Sequence, residues 1–177
     1  MNKSPRVVSG LMQGEAFVLG DHVDSDAIIP VRHCVRPTPD VLTKYCLTAV
    51  DSDFPAKAKH GLILVAGRDF GRGSANENAV RALLLSGVRA VVAISFGLLF
   101  RRNAVNMGLP IMICPKLVES TKAREKIEVD FENQRCANVS KGHEYTAEPL
   151  SEIELRIIRA GGLVNLVKRG QMEAVGG

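Results

Sequence analysis

The amino-acid sequence predicts an α/β fold, with a parallel β-α-β-α-β core and further strands added to it. Three observations carry that prediction. The apolar runs LILVAG (62–67), VRAVVAIS (88–95) and PIMIC (110–114) lack two-residue alternation, the pattern of strands covered on both faces. The segments between them, ANENAVRALLLSG (75–87) and FGLLFRRNAVNMG (96–108), read as helices that stop at a glycine. The connections are short, which implies parallel strands joined by right-handed crossovers.

The elements before this core are less regular. RVVSGLMQGEAFVLGDHVDSDAIIP reads as short strands broken at Gly10, Gly14 and Gly20. Pro30, Pro37 and Pro39 mark an irregular loop, VRHCVRPTPD, followed by a helix from about Asp40 to Val50. Beyond Pro115, the pieces IEVDF, RCANV and HEYTA predict three more strands. SEIELRIIRAGGLVNLVKRG opens on a capping Ser151 and ends in a glycine turn and a basic tail, with 171–177 expected to be loose. With 177 residues, no internal repeat and no low-complexity linker, the chain is predicted to be one domain, 1–177.

Composition excludes several function classes. There is no Trp and aromatic residues make up 5%, which argues against base-stacking platforms. The formal charge of +4 is spread along the chain, so no phosphate-tracking stripe is visible and no nucleic-acid partner is expected. Cys34, Cys46, Cys114 and Cys136 contain no Cys-x-x-Cys pair, so neither a zinc knuckle nor an iron–sulfur cluster is predicted on this chain. No apolar stretch approaches the ~20 residues of a membrane helix. Without a visible signal peptide or disulfide framework, the expected compartment is the cytoplasm.

The chemistry concentrates in GRDFGRGSANENA (67–79), directly behind a strand. One reading is local. Ser74 and Glu77 form an S-x-x-E capping box, with Gly71 and Gly73 supplying the positive φ angles of a tight turn. The other reading uses the same geometry as a cradle for an anion. A helix N-terminus offers unpaired N–H groups and partial positive charge, and Arg68 and Arg72 flank the turn. A Walker loop is excluded because no Gly-Lys-Ser/Thr is present, and a dinucleotide fingerprint needs glycine where Asn76 stands. The loop therefore suits a small carboxylate better than a nucleotide.

GDHVDSDAIIP, the stretch from LILVAGRDFGRGSANENA to PIMIC, and the closing RAGGLVNLVKRG together resemble the small-subunit family of 3-isopropylmalate dehydratases and homoaconitases. That family is the swivelling domain of the aconitase superfamily. The resemblance implies a β/β/α swivelling fold and a large-subunit partner carrying a [4Fe–4S] cluster, with no cofactor on this chain. It implies a hydro-lyase that isomerises 2-isopropylmalate to 3-isopropylmalate in leucine biosynthesis, acting on a small hydroxy-dicarboxylate. Homoaconitase, methylmalate or citramalate dehydratase subunits are the alternatives within the class. A non-catalytic interaction subunit and a free-standing carboxylate-binding module are the alternatives outside it.

Carried over residue by residue, the resemblance makes Ser74 the general base for the carbon-bound proton. Gly71, Arg72, Gly73, Ala75 and Asn76 become the carboxylate cradle. His33 and Arg36 fall in the 33–36 segment that sets substrate choice. Two departures stand out. The family shows Gly-Ser-Ser-Arg-Glu-His at the glycine loop, whereas this chain has Gly73-Ser74-Ala75-Asn76-Glu77-Asn78, with no clamp arginine. A Tyr-Leu-Arg-x stretch in the family is here His33-Cys34-Val35-Arg36. Elsewhere, Asp21, Asp24 and Asp26 lack the glycine and distant glutamate of a calcium loop and read as a turn. Arg101, Arg102 and Asn103 read as an exposed helical edge.

Overall fold

A computed structural model describes residues 10–73 and 76–175, the last five of these by their backbone alone. The elements of the sheet are β1 (Leu11–Val18), β2 (Leu62–Ala66), β3 (Ala90–Ala93), β4 (Ile111–Ile113), β5 (Lys126–Asp130), β6 (Arg135–Asn138) and β7 (His143–Thr146). They form one seven-stranded sheet in the order β4-β3-β2-β1-β5-β6-β7. The half from β4 to β1 is parallel, registered at Glu15↔Leu62, Ile63↔Ala90 and Val91↔Ile111. The half from β1 to β7 is antiparallel. Every residue of β2 and β3 is buried, as their unbroken apolar sequences require.

The helices are α1 (Ser25–Ile28), α2 (Pro39–Tyr45), α3 (Phe54–Ala58), α4 (Glu77–Ser86), α5 (Leu98–Met107), α6 (Pro115–Ser120), α7 (Glu152–Arg159) and α8 (Leu163–Val175). The two core helices end where their glycines permit. Gly87 and Gly108 sit in left-handed backbone at φ +98° and +72°, each returning its N–H to the helix's last turn. α7 opens on a full capping box between Ser151 and Glu154. Among the described residues no helix is long and apolar enough to cross a membrane.

The sheet curls until its edges meet. Glu148 N–H, just past β7, donates to the Ile113 carbonyl of β4 at 2.8 Å. Close by, the Cys136 and Met112 sulfurs of β6 and β4 lie 3.0 Å apart. α6 packs against both β3 and β6, strands that lie far apart in the sheet order.

Several expectations are corrected. Gly14 does not break a strand: β1 runs through it, and a Cβ there would lie 2.9 Å from the Gly61 carbonyl, so the glycine serves close strand approach. The helix expected from Asp40 to Val50 ends at Tyr45, because Leu47 is held at φ +52° with its N–H on the Ile28 carbonyl. α1, α3 and α6 are additional short helices, and α8 follows the Gly161–Gly162 turn where a basic tail is predicted. The helix after the glycine loop begins at Glu77, and its N-cap is Asn76 rather than Ser74.

Candidate functional site

The loops that leave β1, β2 and β3 emerge together at the carboxyl ends of the parallel strands, the general position of ligand crevices in α/β sheets. The glycine loop is threaded between its two neighbours by backbone hydrogen bonds. On one side, Gly71 N–H reaches Val23 O at 2.8 Å, His22 N–H reaches Arg68 O at 2.7 Å, and Ser25 N–H reaches Arg72 O at 2.8 Å. On the other, Phe70 N–H reaches Ser95 O at 3.0 Å and Gly97 N–H reaches Phe70 O at 2.9 Å. Phe70 is fully buried and meets Phe100 edge-on, ring centroids 5.2 Å apart. It anchors the loop in the core, while Arg72 and Gly73 stay exposed at the rim.

Two loop glycines have specific reasons to be glycine. Gly71 is at φ +77°, and a Cβ on it would lie 2.2 Å from Phe100 Cγ. Gly73 is at φ +101°, and its Cβ would lie 2.5 Å from Asp24 Oδ1. Asp24 also caps α1, accepting from Asp26 N at 3.0 Å. Asp21 accepts the Arg68 N–H at 2.7 Å and pairs with the Arg68 guanidinium at 3.7 Å. Asp21 and Asp24 thus brace the glycine loop, and among the described residues no group of three or more His, Cys, Asp or Glu side chains is placed to hold a metal ion.

Ser74 and Ala75 lie outside the described residues. Asn76 is bonded at both ends of its side chain. Its carboxamide oxygen accepts the Asn78 N–H at 3.0 Å, and its Nδ2 donates to Cys34 Sγ at 2.8 Å. That second bond brings the 33–36 segment to the glycine loop. His33 turns the other way and stacks on Tyr45, ring centroids 3.7 Å apart and planes within 5°. Val35 is 79% exposed and Arg36 sits at φ +48°, so the segment's tip projects outward. Among the described residues Arg36 and Arg72 form no ion pair, whereas Arg101 is paired with Glu154 at 2.9 Å.

Cys34, Asp21, Asp24 and Phe70 are the site's structural residues that spacing alone does not find. Asp21 and Asp24 are marked in the sequence only as a turn and Cys34 only as part of the 33–36 segment, while the gathering of Phe70, Phe96 and Phe100 around one loop is seen only in the fold. A cavity of about 1020 Å³, lined by Phe17, Lys57, His60, Leu62, Arg89 and Lys126 among others, lies at the opposite, amino end of β2. At the glycine loop, Arg72 and Gly73 are exposed.

Residues 35–116 match the family described as the aconitase C-terminal domain. The chain is 45% identical over 157 residues to a 3-isopropylmalate dehydratase small subunit of Pyrobaculum islandicum, covering 89% of this chain and 97% of the relative. The chain belongs to the 3-isopropylmalate dehydratase small-subunit family. A small subunit of that name from Thermodesulfovibrio yellowstonii is 40% identical over 158 residues, with 89% and 94% of the two chains covered. The fold agrees: a crystal structure of 3-isopropylmalate dehydratase from Methanocaldococcus jannaschii superposes with a TM-score of 0.87 at 36% identity, covering 94% of this chain and 99% of the other. As a member of this family the chain is of the hydro-lyase type.

Proposed function

We propose that the chain is the small subunit of a two-subunit hydro-lyase that isomerises 2-isopropylmalate to 3-isopropylmalate by dehydration and rehydration, in the cytoplasm. The observation that carries this reading is the near full-length correspondence to relatives of that name, 89% of this chain against 97% of the relative. The swivelling domain spans the chain, and its glycine-loop rim is the half-site presented to a large subunit. The loop's openness supports this, since Arg72 and Gly73 face solvent instead of an enclosed pocket.

In this mechanism Ser74 removes the proton from the substrate carbon. A serine hydroxyl is a weak base unless its alkoxide is stabilised, and the backbone amides of the glycine loop and the first turn of α4 would supply dipoles for that purpose once the large subunit closes the rim to water. Arg72 and Arg36, with no ion pairs of their own among the described residues, answer the substrate's carboxylates. Gly71 keeps the loop against the core, and the 33–36 segment, tied to the glycine loop through Cys34 and held at its base by the His33 stack on Tyr45, borders the place of the substrate side chain. The Lewis acid for the departing hydroxyl would be a [4Fe–4S] cluster on the large subunit. This chain's own cysteines do not offer a cluster site, because Cys46, Cys114 and Cys136 are buried in the core and only Cys34 is half-exposed.

The test is an assay of the chain co-expressed with its large subunit, with the cluster reconstituted without oxygen. Unsaturated-acid absorbance would be followed for 2-isopropylmalate, homocitrate and citramalate. The expected result is turnover of 2-isopropylmalate that is lost in Ser74→Ala, by a factor on the order of a thousand for removal of a central catalytic group. A cluster-loaded complex that turns over none of the three would sink the proposal.

A further inference from the structure

We infer that Asn76 and Cys34 are positioning residues, joined as a latch that fixes the 33–36 segment to the start of α4 and so sets the substrate preference of the glycine-loop site. The inference rests on the small-subunit reading. Its basis is that both ends of the Asn76 side chain are used. The oxygen caps α4 by accepting the Asn78 N–H, and the nitrogen donates to Cys34 Sγ across 42 positions of sequence. The position therefore calls for a side chain with both an acceptor and a donor, which a carboxamide provides and a guanidinium, carrying only donors, does not. Asparagine there joins a helix cap to a tie with the neighbouring loop.

The segment is held at two points around a free tip. His33 is stacked on Tyr45 of α2, and Arg32 Nε donates to His33 Nε2 at 3.1 Å. Cys34 closes the turn Val31–His33 with its N–H on Val31 O at 2.8 Å, and its thiol donates to Pro30 O at 3.6 Å. Val35, 79% exposed, and Arg36 lie immediately beyond the second point. Without the latch, the stack on Tyr45 would hold only the segment's base, and the placement of its tip against the glycine loop would depend on the loop's own backbone.

Hydrogen exchange on the full chain tests the tie without depending on activity. Asn76→Ser keeps a capping oxygen but is too short to reach Cys34, and Cys34→Ala removes the acceptor. In both, exchange of the 31–36 amides should quicken by roughly three- to tenfold, the range one hydrogen bond supports. Amides of α4 should keep wild-type rates in Asn76→Ser. In the complex with the large subunit, both variants should raise KM and narrow the preference between 2-isopropylmalate and citramalate, with kcat little changed. Cys34→Ser, which retains an acceptor, should restore most of the preference. Unchanged exchange at 31–36 would overturn the latch, and faster exchange with an intact preference would overturn its role in specificity. An inactive wild-type complex would instead overturn the small-subunit reading, leaving the exchange result to decide the tie itself.

Discussion

Gly71 shows how a single residue shapes the glycine loop. Its backbone is left-handed, and the space a side chain would take is filled by the Phe100 ring. Gly71→Ala should therefore be destabilised twice, by backbone strain and by displacement of a buried ring, at about 2 kcal/mol or more in total. A urea titration of the isolated chain would read this as a lowered midpoint with an unchanged slope, and a midpoint within error of wild type would refute the argument. The positive φ at Gly71 and Gly73 was legible because a strand running into closely spaced glycines leaves few other uses for them. The role of Asn76 was not. Its partner Cys34 is 42 positions away, and no local pattern connects a carboxamide to a thiol at that distance. The S-x-x-E motif predicts Ser74 as the cap, but capping depends on where the first helical turn starts, and α4 takes Asn76, two residues later, as its cap.

At the scale of elements, sequence reading succeeds where the physical demand is local and fails where one residue type answers two demands. Gly87 and Gly108 stop helices, and the left-handed turn that allows this is written in one residue each. Gly14 carries the same letter yet sits inside β1, where the need is close approach to the Gly61 carbonyl. The connection from α6 into β5 carries an electrostatic prediction. Glu125 accepts the Lys122 backbone N–H at 2.8 Å and the Asn138 amide at 2.7 Å, and pairs with Lys141 at 3.2 Å. These partners, the backbone N–H foremost, hold its carboxyl down at about 2, against an ordinary 4.5. A depressed carboxyl contributes stability that is present above its unfolded value and lost as pH falls through the folded one. The chain should thus lose stability between about pH 4.5 and 2, and Glu125→Gln should flatten that part of the stability curve. Equal slopes for the two proteins, measured by denaturant titration across the acid range, would reject the assignment.

For the whole molecule, the decisive feature is that a mixed sheet curls until β4 and the chain beyond β7 meet. The parallel half carries the glycine loop at its carboxyl end, and the antiparallel half wraps round α6 to close the core behind it. Among the described residues the backbone bond across the seam runs from Glu148 N–H to Ile113 O, beside the sulfur contacts of Cys136 with Met112 and Cys114 with Thr146 O, so Glu148→Pro, which removes the donor, should cost about 1–2 kcal/mol. The matching observation would be faster hydrogen exchange at both seam strands, with the glycine loop unaffected; protection retained on both sides would show that the seam does not depend on that bond.

The same seam bears on how the chain survives before any partner arrives. An open seven-stranded sheet would present two rows of unpaired N–H and C=O groups, a template for another chain to extend. Here the outermost strands are short, Ile111–Ile113 and His143–Thr146, and the curl turns the ends of one toward the other. Free copies accumulating in a cell thus have little exposed strand edge along which to nucleate cross-β stacking.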